Sequence, residues 1–270
     1  MATVNSVPRQ SIPALGMTLI LLLFLGCNPG IDNKRDMHGY AEIHTVVRSG
    51  DVEVAEKLII ESGAKVNNTD ADGLTPLHHA VKSDDLAMTK LLLQYRGDPT
   101  MTTKKGWDAV HLAAWRNNTL MLDLVLSYGG IINRSTPEGW TALHMAAWKA
   151  SPDLIDKLLM DWSTTAQHGK PDVNQKDQEG RTPLLLAMQK GNLGVCSTLL
   201  RKGADVNVAN KDGDTPLHLL AGSGNVDLAQ QFILSGANLT QYNGNQKTPF
   251  DMAMEKNDEV LARFLWANAN

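Results

Sequence analysis

The chain has few cysteines and none of the paired motifs that bind metals. Among its 270 residues are two cysteines, Cys27 and Cys196, and no Cys-x-x-Cys unit. Its eight histidines include no His-x-x-x-His pair. Zinc sites use such spacings, so we predict no metal site. If the Cys27 thiol is modified, Cys196 has no second cysteine with which to form a disulfide.

The sequence also lacks the motifs of catalysis and of nucleic-acid binding. It contains no Gly-x-Ser-x-Gly elbow, no Walker loop and no dinucleotide fingerprint. Its 25 basic side chains are fewer than its 29 acidic ones, which gives a net charge of −4. Domains that bind nucleic acid usually have an excess of basic side chains. We therefore predict no catalytic residues, no cofactor, no small-molecule substrate and no nucleic-acid partner.

The apolar run at residues 17–25 is too short to span a bilayer, which takes about 20 apolar residues. A short apolar run that ends at small residues is typical of a secretory signal. Here Leu25, Gly26 and Cys27 follow in order, and this ending resembles a bacterial lipoprotein signal peptide.

The resemblance implies a signal peptide at residues 1–27, acylation of Cys27 and a short linker at residues 28–37. Such a protein is attached to a membrane through its lipid. Three alternatives stay open at this point: an ordinary cleaved signal, an uncleaved anchor, and an artefact of the choice of start site.

One short pattern recurs six times, at steps of 33 residues and one longer step of 41. The first position of the copies is occupied by Gly73, Gly106, Gly139, Gly180, Gly213 and Gln246. Two residues later begins a tetrapeptide similar to Thr-Pro-Leu-His, with starts at Thr75, Asp108, Thr141, Thr182, Thr215 and Thr248. This pattern resembles the ankyrin repeat.

The resemblance implies an α solenoid, because one repeat buries too little apolar surface to be stable without its neighbours. We expect about seven units, each a helix-turn-helix plus a β-hairpin, stacked in one curved domain over residues 38–270. The expected repeats lie near residues 38–71, 72–104, 105–137, 138–177, 178–210, 211–243 and 244–270.

The turns between paired helices fit this fold. The turn positions hold Gly50, Asp84, Asn117, Ala150, Gly191, Gly224 and Asn257, and all except Ala150 tolerate a left-handed backbone. The next residues are Asp51, Asp85, Asn118, Ser151, Asn192, Asn225 and Asp258, each able to cap a helix. We predict that all seven second helices are capped, and that Pro152 compensates for Ala150.

The resemblance also assigns structural roles to most histidines. In the family, the histidine of the tetrapeptide forms a hydrogen bond with the hairpin backbone, and here that position holds His44, His78, His111, His144 and His218. Cys196 lies between leucines of a second helix. We interpret it as a buried hydrophobic residue and not as a nucleophile.

Ankyrin arrays usually bind partners on the concave surface of hairpin tips and first helices. The candidate contacts there are Trp107, Trp115, Arg116, Trp140, Trp148 and Lys149. Tryptophan and arginine often dominate the binding energy of interfaces. Trp162, within the extra residues 161–170 of the longer step, is a further candidate. The alternative is that the indoles only pack on their neighbours and that the insertion has no role.

These features predict a non-catalytic protein–protein interaction module. We expect it to be a monomer, exported and lipid-anchored in a bacterial cell envelope, where it faces the periplasm. One alternative is an immunity protein that inhibits a secreted toxic effector such as a lipase. Another is a eukaryotic signal-anchored adaptor, with glycosylation at the Asn-x-Ser/Thr triplets that start at Asn67, Asn117, Asn133 and Asn238.

Overall fold

The computed structural model describes residues 42–160 and 171–269, which form fourteen α-helices. In chain order these are α1 (Glu42–Ser49), α2 (Val52–Ser62), α3 (Pro76–Lys82), α4 (Leu86–Gln94), α5 (Ala109–Arg116), α6 (Thr119–Ser127), α7 (Ala142–Trp148), α8 (Pro152–Leu158), α9 (Pro183–Gln189), α10 (Leu193–Arg201), α11 (Pro216–Leu220), α12 (Val226–Leu234), α13 (Pro249–Glu255) and α14 (Glu259–Ala269). Odd-numbered helices are the first helices of seven repeats, and even-numbered helices are the second.

The helix pairs stack in one row. First helices contact the first helices of neighbouring repeats, as α5 does with α3 and α7, and second helices contact second helices. One apolar core runs from Ile43 to Leu265. Residues 109–114 of α5 are all buried, whereas α6 buries one side only. This arrangement confirms the predicted α solenoid.

The loops between repeats are tight turns rather than the expected β-hairpins. In the loop that precedes α5, the Thr103 amide donates to the Trp107 carbonyl and the Gly106 amide donates to the Thr103 carbonyl, both at 2.8 Å. The Lys104 amide reaches the Asp72 carbonyl of the preceding loop at 3.1 Å. No strand is assigned within residues 42–160 and 171–269. Too few successive bonds form between neighbouring loops for a strand ladder.

All seven turn positions adopt a left-handed backbone, which is the prediction at six of them and a departure from it at Ala150. Their φ angles lie between 57° and 76°, at Gly50, Asp84, Asn117, Ala150, Gly191, Gly224 and Asn257. Ala150 is included, with φ of 60°, although a Cβ makes this conformation unfavourable by about 1–2 kcal/mol. Pro152 begins α8 at the first helical turn, as the sequence indicates.

Six of the seven predicted caps form, and one prediction is wrong. The Asn225 side chain, for example, accepts the Leu228 amide at 2.8 Å. Asn192 makes no such bond at the start of α10. Its side-chain amide instead donates to the Ala147 carbonyl of the preceding repeat at 2.8 Å. A contact between repeats therefore replaces a local cap.

Two predicted features lie outside the described residues. Cys27, with the signal and linker at residues 1–37, precedes residue 42. Trp162 and the insertion at residues 161–170 fall between the two described segments. Within the described segments, the helices are all too short or too polar to cross a membrane.

Candidate protein-binding surface

Two tryptophan pairs lie at equivalent places in neighbouring repeats. Trp107 precedes Asp108, the residue that caps α5, and Trp115 lies in the last turn of α5. Their ring centroids are 5.4 Å apart with an interplanar angle of 66°. Trp140 and Trp148 repeat the arrangement at α7, at 5.5 Å and 58°. The first contact is edge-on and the second is tilted, and edge-on contacts are favourable because the positive edge of one ring meets the negative face of the other.

Lysines from the following repeats lie over these rings. The Lys149 ammonium is 4.0 Å from the Trp115 ring centroid, and the Lys190 ammonium is 3.3 Å from the Trp148 centroid. Attraction between the cation and the ring stabilises each contact, by about 0.5–2 kcal/mol depending on exposure. The rings and cations therefore alternate along the row of first helices.

The four indoles are each half-buried. Trp107, Trp115 and Trp140 touch the apolar core with part of their surface. Arg116 and Lys149 are exposed. The structure thus brings together the six described candidates, Trp107, Trp115, Arg116, Trp140, Trp148 and Lys149, which we call the tryptophan surface. The four indoles pack against neighbouring residues and also keep exposed surface. The geometry alone is therefore compatible with either predicted role, partner binding or packing.

A cavity of about 430 Å³ opens beside the first tryptophan pair. Its walls are formed by Asp72, Leu74, Lys82, Thr103, Lys104, Lys105, Trp107, Leu112, Trp115 and Arg116. Pockets that bind small ligands typically have volumes of about 300–1,000 Å³.

Among the lining residues that sequence reasoning missed are two basic ones, Lys104 and Lys105. A signal for them was present. In the other loops, the position of Lys105 holds an acidic or neutral residue, namely Asp72, Glu138, Glu179, Asp212 or Asn245. Lys105 therefore places a positive side chain where the other loops have a negative or neutral one.

The tetrapeptide histidines have the structural role that the family resemblance implies. In His78, Nδ1 accepts the Thr75 amide at 3.0 Å. The proton therefore lies on Nε2, which donates to the Met101 carbonyl at 3.0 Å. The other four histidines place Nε2 at 3.0–3.3 Å from a carbonyl of the following loop, as His44 to Leu74, His111 to Trp140, His144 to Arg181 and His218 to Lys247.

Burial explains the chemistry of these side chains. It lowers the pKa of His78, His144 and His218, because an imidazolium loses hydration in the core. It also raises the pKa of the Cys196 thiol to about 12, which confirms Cys196 as a buried hydrophobic residue. Within the described residues, no three His, Cys, Asp or Glu side chains gather in a metal-binding group.

Comparisons with known proteins match this structure. The family described as "Ankyrin repeats (3 copies)" matches in overlapping segments at residues 14–103, 88–168, 121–210, 163–243 and 199–270. The solved ankyrin repeat domain of Bcl-3, a member of the IkappaB family, superposes with a TM-score of 0.71. It is 25% identical, and the match covers 84% of this chain and 99% of that one.

Curated relatives share only part of their length with this chain. The human BCL-6 corepressor-like protein 1 is 35% identical over 97 residues, which are 36% of this chain and 5% of that protein. The Ankyrin repeat and LEM domain-containing protein 1 homolog of Caenorhabditis elegans is 46% identical over 52 residues, 19% of this chain and 7% of that protein. A putative ankyrin repeat protein of fowlpox virus is 35% identical over 52 residues, 19% of this chain and 36% of that protein.

The described helices, the loop geometry and the matched segments agree with one another along nearly the whole repeat region. Folds of this kind are typical of non-catalytic modules that bind other proteins. The chain belongs to the ankyrin repeat family.

Proposed function

We propose that this protein is a non-catalytic binding protein that holds another protein on its tryptophan surface. The observation that carries the proposal is the repeated pair, Trp107 with Trp115 and Trp140 with Trp148, half-exposed in adjacent repeats. Half-exposed indoles can bury further apolar area against a partner at little cost in conformational entropy. The exposed Arg116 and Lys149 beside them would guide the approach of an acidic partner.

The test combines affinity with stability. Proteins that co-purify with the full-length chain from the cells that make it supply the partner for titration. Trp115→Ala and Trp148→Ala should each weaken its binding by about thirtyfold, or about 2 kcal/mol, with a small change in melting temperature. The control is Trp266→Ala, which removes an indole that is 63% exposed on α14, away from the tryptophan surface.

A core role for the indoles gives the opposite pattern. In that case the two variants lose melting temperature, and the protein that remains folded binds with unaltered affinity. That outcome would refute the proposed surface.

The proposed setting is the bacterial cell envelope, with the protein attached by lipid on Cys27 and facing the periplasm. Support comes from the apolar run at residues 17–25 and from the order Leu25, Gly26, Cys27 that follows it. A mature lipoprotein carries several acyl chains and anchors stably. Cys27→Ser should abolish acyl labelling and release the protein from membranes. Retention of this variant in the membrane fraction would show an uncleaved anchor instead.

In that setting, a protein that only binds could neutralise a secreted toxic effector such as a lipase. A neighbouring gene for such an effector, and loss of protection in the Trp115→Ala variant, would support this immunity role. The eukaryotic and viral origin of the relatives favours an adaptor as the second candidate. Glycosylation at the Asn-x-Ser/Thr triplets would identify this adaptor. At the first triplet, the Asn67 side-chain nitrogen that would carry the sugar already donates to the Arg96 carbonyl at 3.0 Å.

A further inference from the structure

The cavity beside Trp107 and Trp115 combines an apolar interior with a basic rim. Leu74, Leu112 and the two indoles form its apolar walls. Lys149 of the following repeat covers the Trp115 ring but takes no part in lining the cavity. The cavity therefore lies between the second and third repeats, on the side of Leu74, and keeps indole surface free for a ligand.

Four cations surround this opening: Lys82, Lys104, Lys105 and Arg116. Asp72 is the one acidic residue among the lining residues. Within residues 42–160 and 171–269, none of the four cations forms an ion pair or a side-chain hydrogen bond.

Several cations elsewhere in the array form ion pairs. Lys157 lies 2.8 Å from Asp123, and Lys202 lies 3.0 Å from Asp156. The chain as a whole has a net charge of −4. At the second and third repeats, four unpaired cations gather around one opening of an acidic protein, and they would attract carboxylates of an incoming partner.

We propose that this cavity binds a single apolar side chain of a partner protein whose neighbouring residues are acidic. This inference rests on the proposed binding function and names the chemistry of the partner. The apolar walls exclude water around the anchor, while the carboxylates on either side reach the rim cations. The cavity volume of about 430 Å³ leaves enough room for a large apolar side chain.

Peptide selection on the full-length chain tests the inference. A random 12-residue display library should yield peptides with one Leu, Met, Phe or Trp flanked by Asp and Glu. Binding of such a peptide should fall about tenfold in the K104Q/K105Q variant, and also when salt rises from about 0.05 M to about 0.5 M, because exposed charges are screened. The matched control is Lys211→Gln, the residue equivalent to Lys104 in the loop of the sixth repeat.

Several results would overturn the inference. Selected peptides could lack acidic residues, or acidic peptides could bind K104Q/K105Q as tightly as the original chain. If such peptides are still lost with Trp115→Ala, the proposed function stands and only the partner chemistry is wrong. If no peptide is enriched, both fail. Single-stranded DNA or anionic vesicles could bind in place of peptides. If that binding requires both Lys104 and Lys105, the cavity belongs to another ligand.

Discussion

At the scale of single residues, Asp108 shows how one substitution changes the interior of a repeat. In the second to seventh repeats, every other tetrapeptide begins with threonine. The Asp108 carboxylate that replaces it is fully buried. It lies 2.7 Å from Nδ1 of His111, and its other oxygen lies 3.2 Å from Nε of Arg134. That second contact lacks hydrogen-bond geometry. The attraction between Asp108 and Arg134 is therefore mainly one of charge.

We expect Arg134→Met to lower the free energy of unfolding by about 2 kcal/mol, because it leaves a buried carboxylate without its cation. The loss should be below that of a fully buried pair, since the Arg134 side chain is 32% exposed. Urea denaturation measures it. In the D108T/R134M double variant, the usual threonine cap returns and most of the stability should be recovered. A double variant no more stable than Arg134→Met would contradict this account.

The Cys196 thiol provides a second test at this scale. Burial raises its pKa to about 12, and the thiol donates a hydrogen bond to the Met188 sulfur at 3.4 Å. A protonated, buried thiol reacts slowly. In a Cys27→Ser background, a thiol reagent at pH 8 should label Cys196 only after urea unfolds the protein. Labelling in seconds without urea would show that α10 opens readily.

At the scale of elements, the first glycine of the pattern allows both a left-handed backbone and the close approach of the following loop. Gly106 has a φ of 71°, and a Cβ at this residue would overlap the Pro137 ring of the following loop. Gln246 holds the same position in the seventh repeat with φ of 57°. No described repeat follows it, so its side chain meets no neighbouring loop. The glycine is thus needed where another repeat stacks closely.

Gly106→Ala should cost about 3 kcal/mol of unfolding free energy, from the left-handed backbone and from the overlap with Pro137. The matched control is Gln246→Ala, which keeps a Cβ in the same backbone conformation and should change stability by less than about 0.5 kcal/mol. Denaturant titration of both variants decides the matter. Equal effects would show that contact between loops contributes nothing.

The elements that sequence predicts well are those set by local chemistry. The residue types at the turns and caps identify where each helix begins, and six of seven caps form because their donors lie three residues away. Asn192 could not be predicted in this way, since its partner is the Ala147 carbonyl of another repeat. The contact of Lys190 with the Trp148 ring could not be predicted either, because it depends on the rotation between neighbouring repeats.

At the scale of the whole molecule, the array is joined by side chains that reach from one repeat to the next. Nε2 of His144 donates to the Arg181 carbonyl at 3.1 Å, and the Asn207 side chain accepts the Asn238 amide at 2.8 Å. Each such bond is lost if either repeat unfolds. The repeats should therefore unfold together, in one cooperative transition.

This coupling makes the stability of the whole array depend on pH. Burial lowers the pKa of His78, His79, His144 and His218 below the value near 6.5 of an unfolded chain. Below about pH 6.5 the unfolded state therefore binds more protons than the folded state, and stability falls as pH falls. Carboxylates titrate near pH 4, outside this range.

The urea midpoint of the full-length chain should therefore be lower at pH 5.5 than at pH 7.5. His144→Gln removes one of the titrating groups, so it should reduce this pH dependence even though its stability at pH 7.5 is lower. Its side-chain amide can still donate a hydrogen bond toward the Arg181 carbonyl, which limits that loss. A midpoint that is unchanged between the two pH values, or that rises at pH 5.5, would show that these imidazoles can be protonated without unfolding the array.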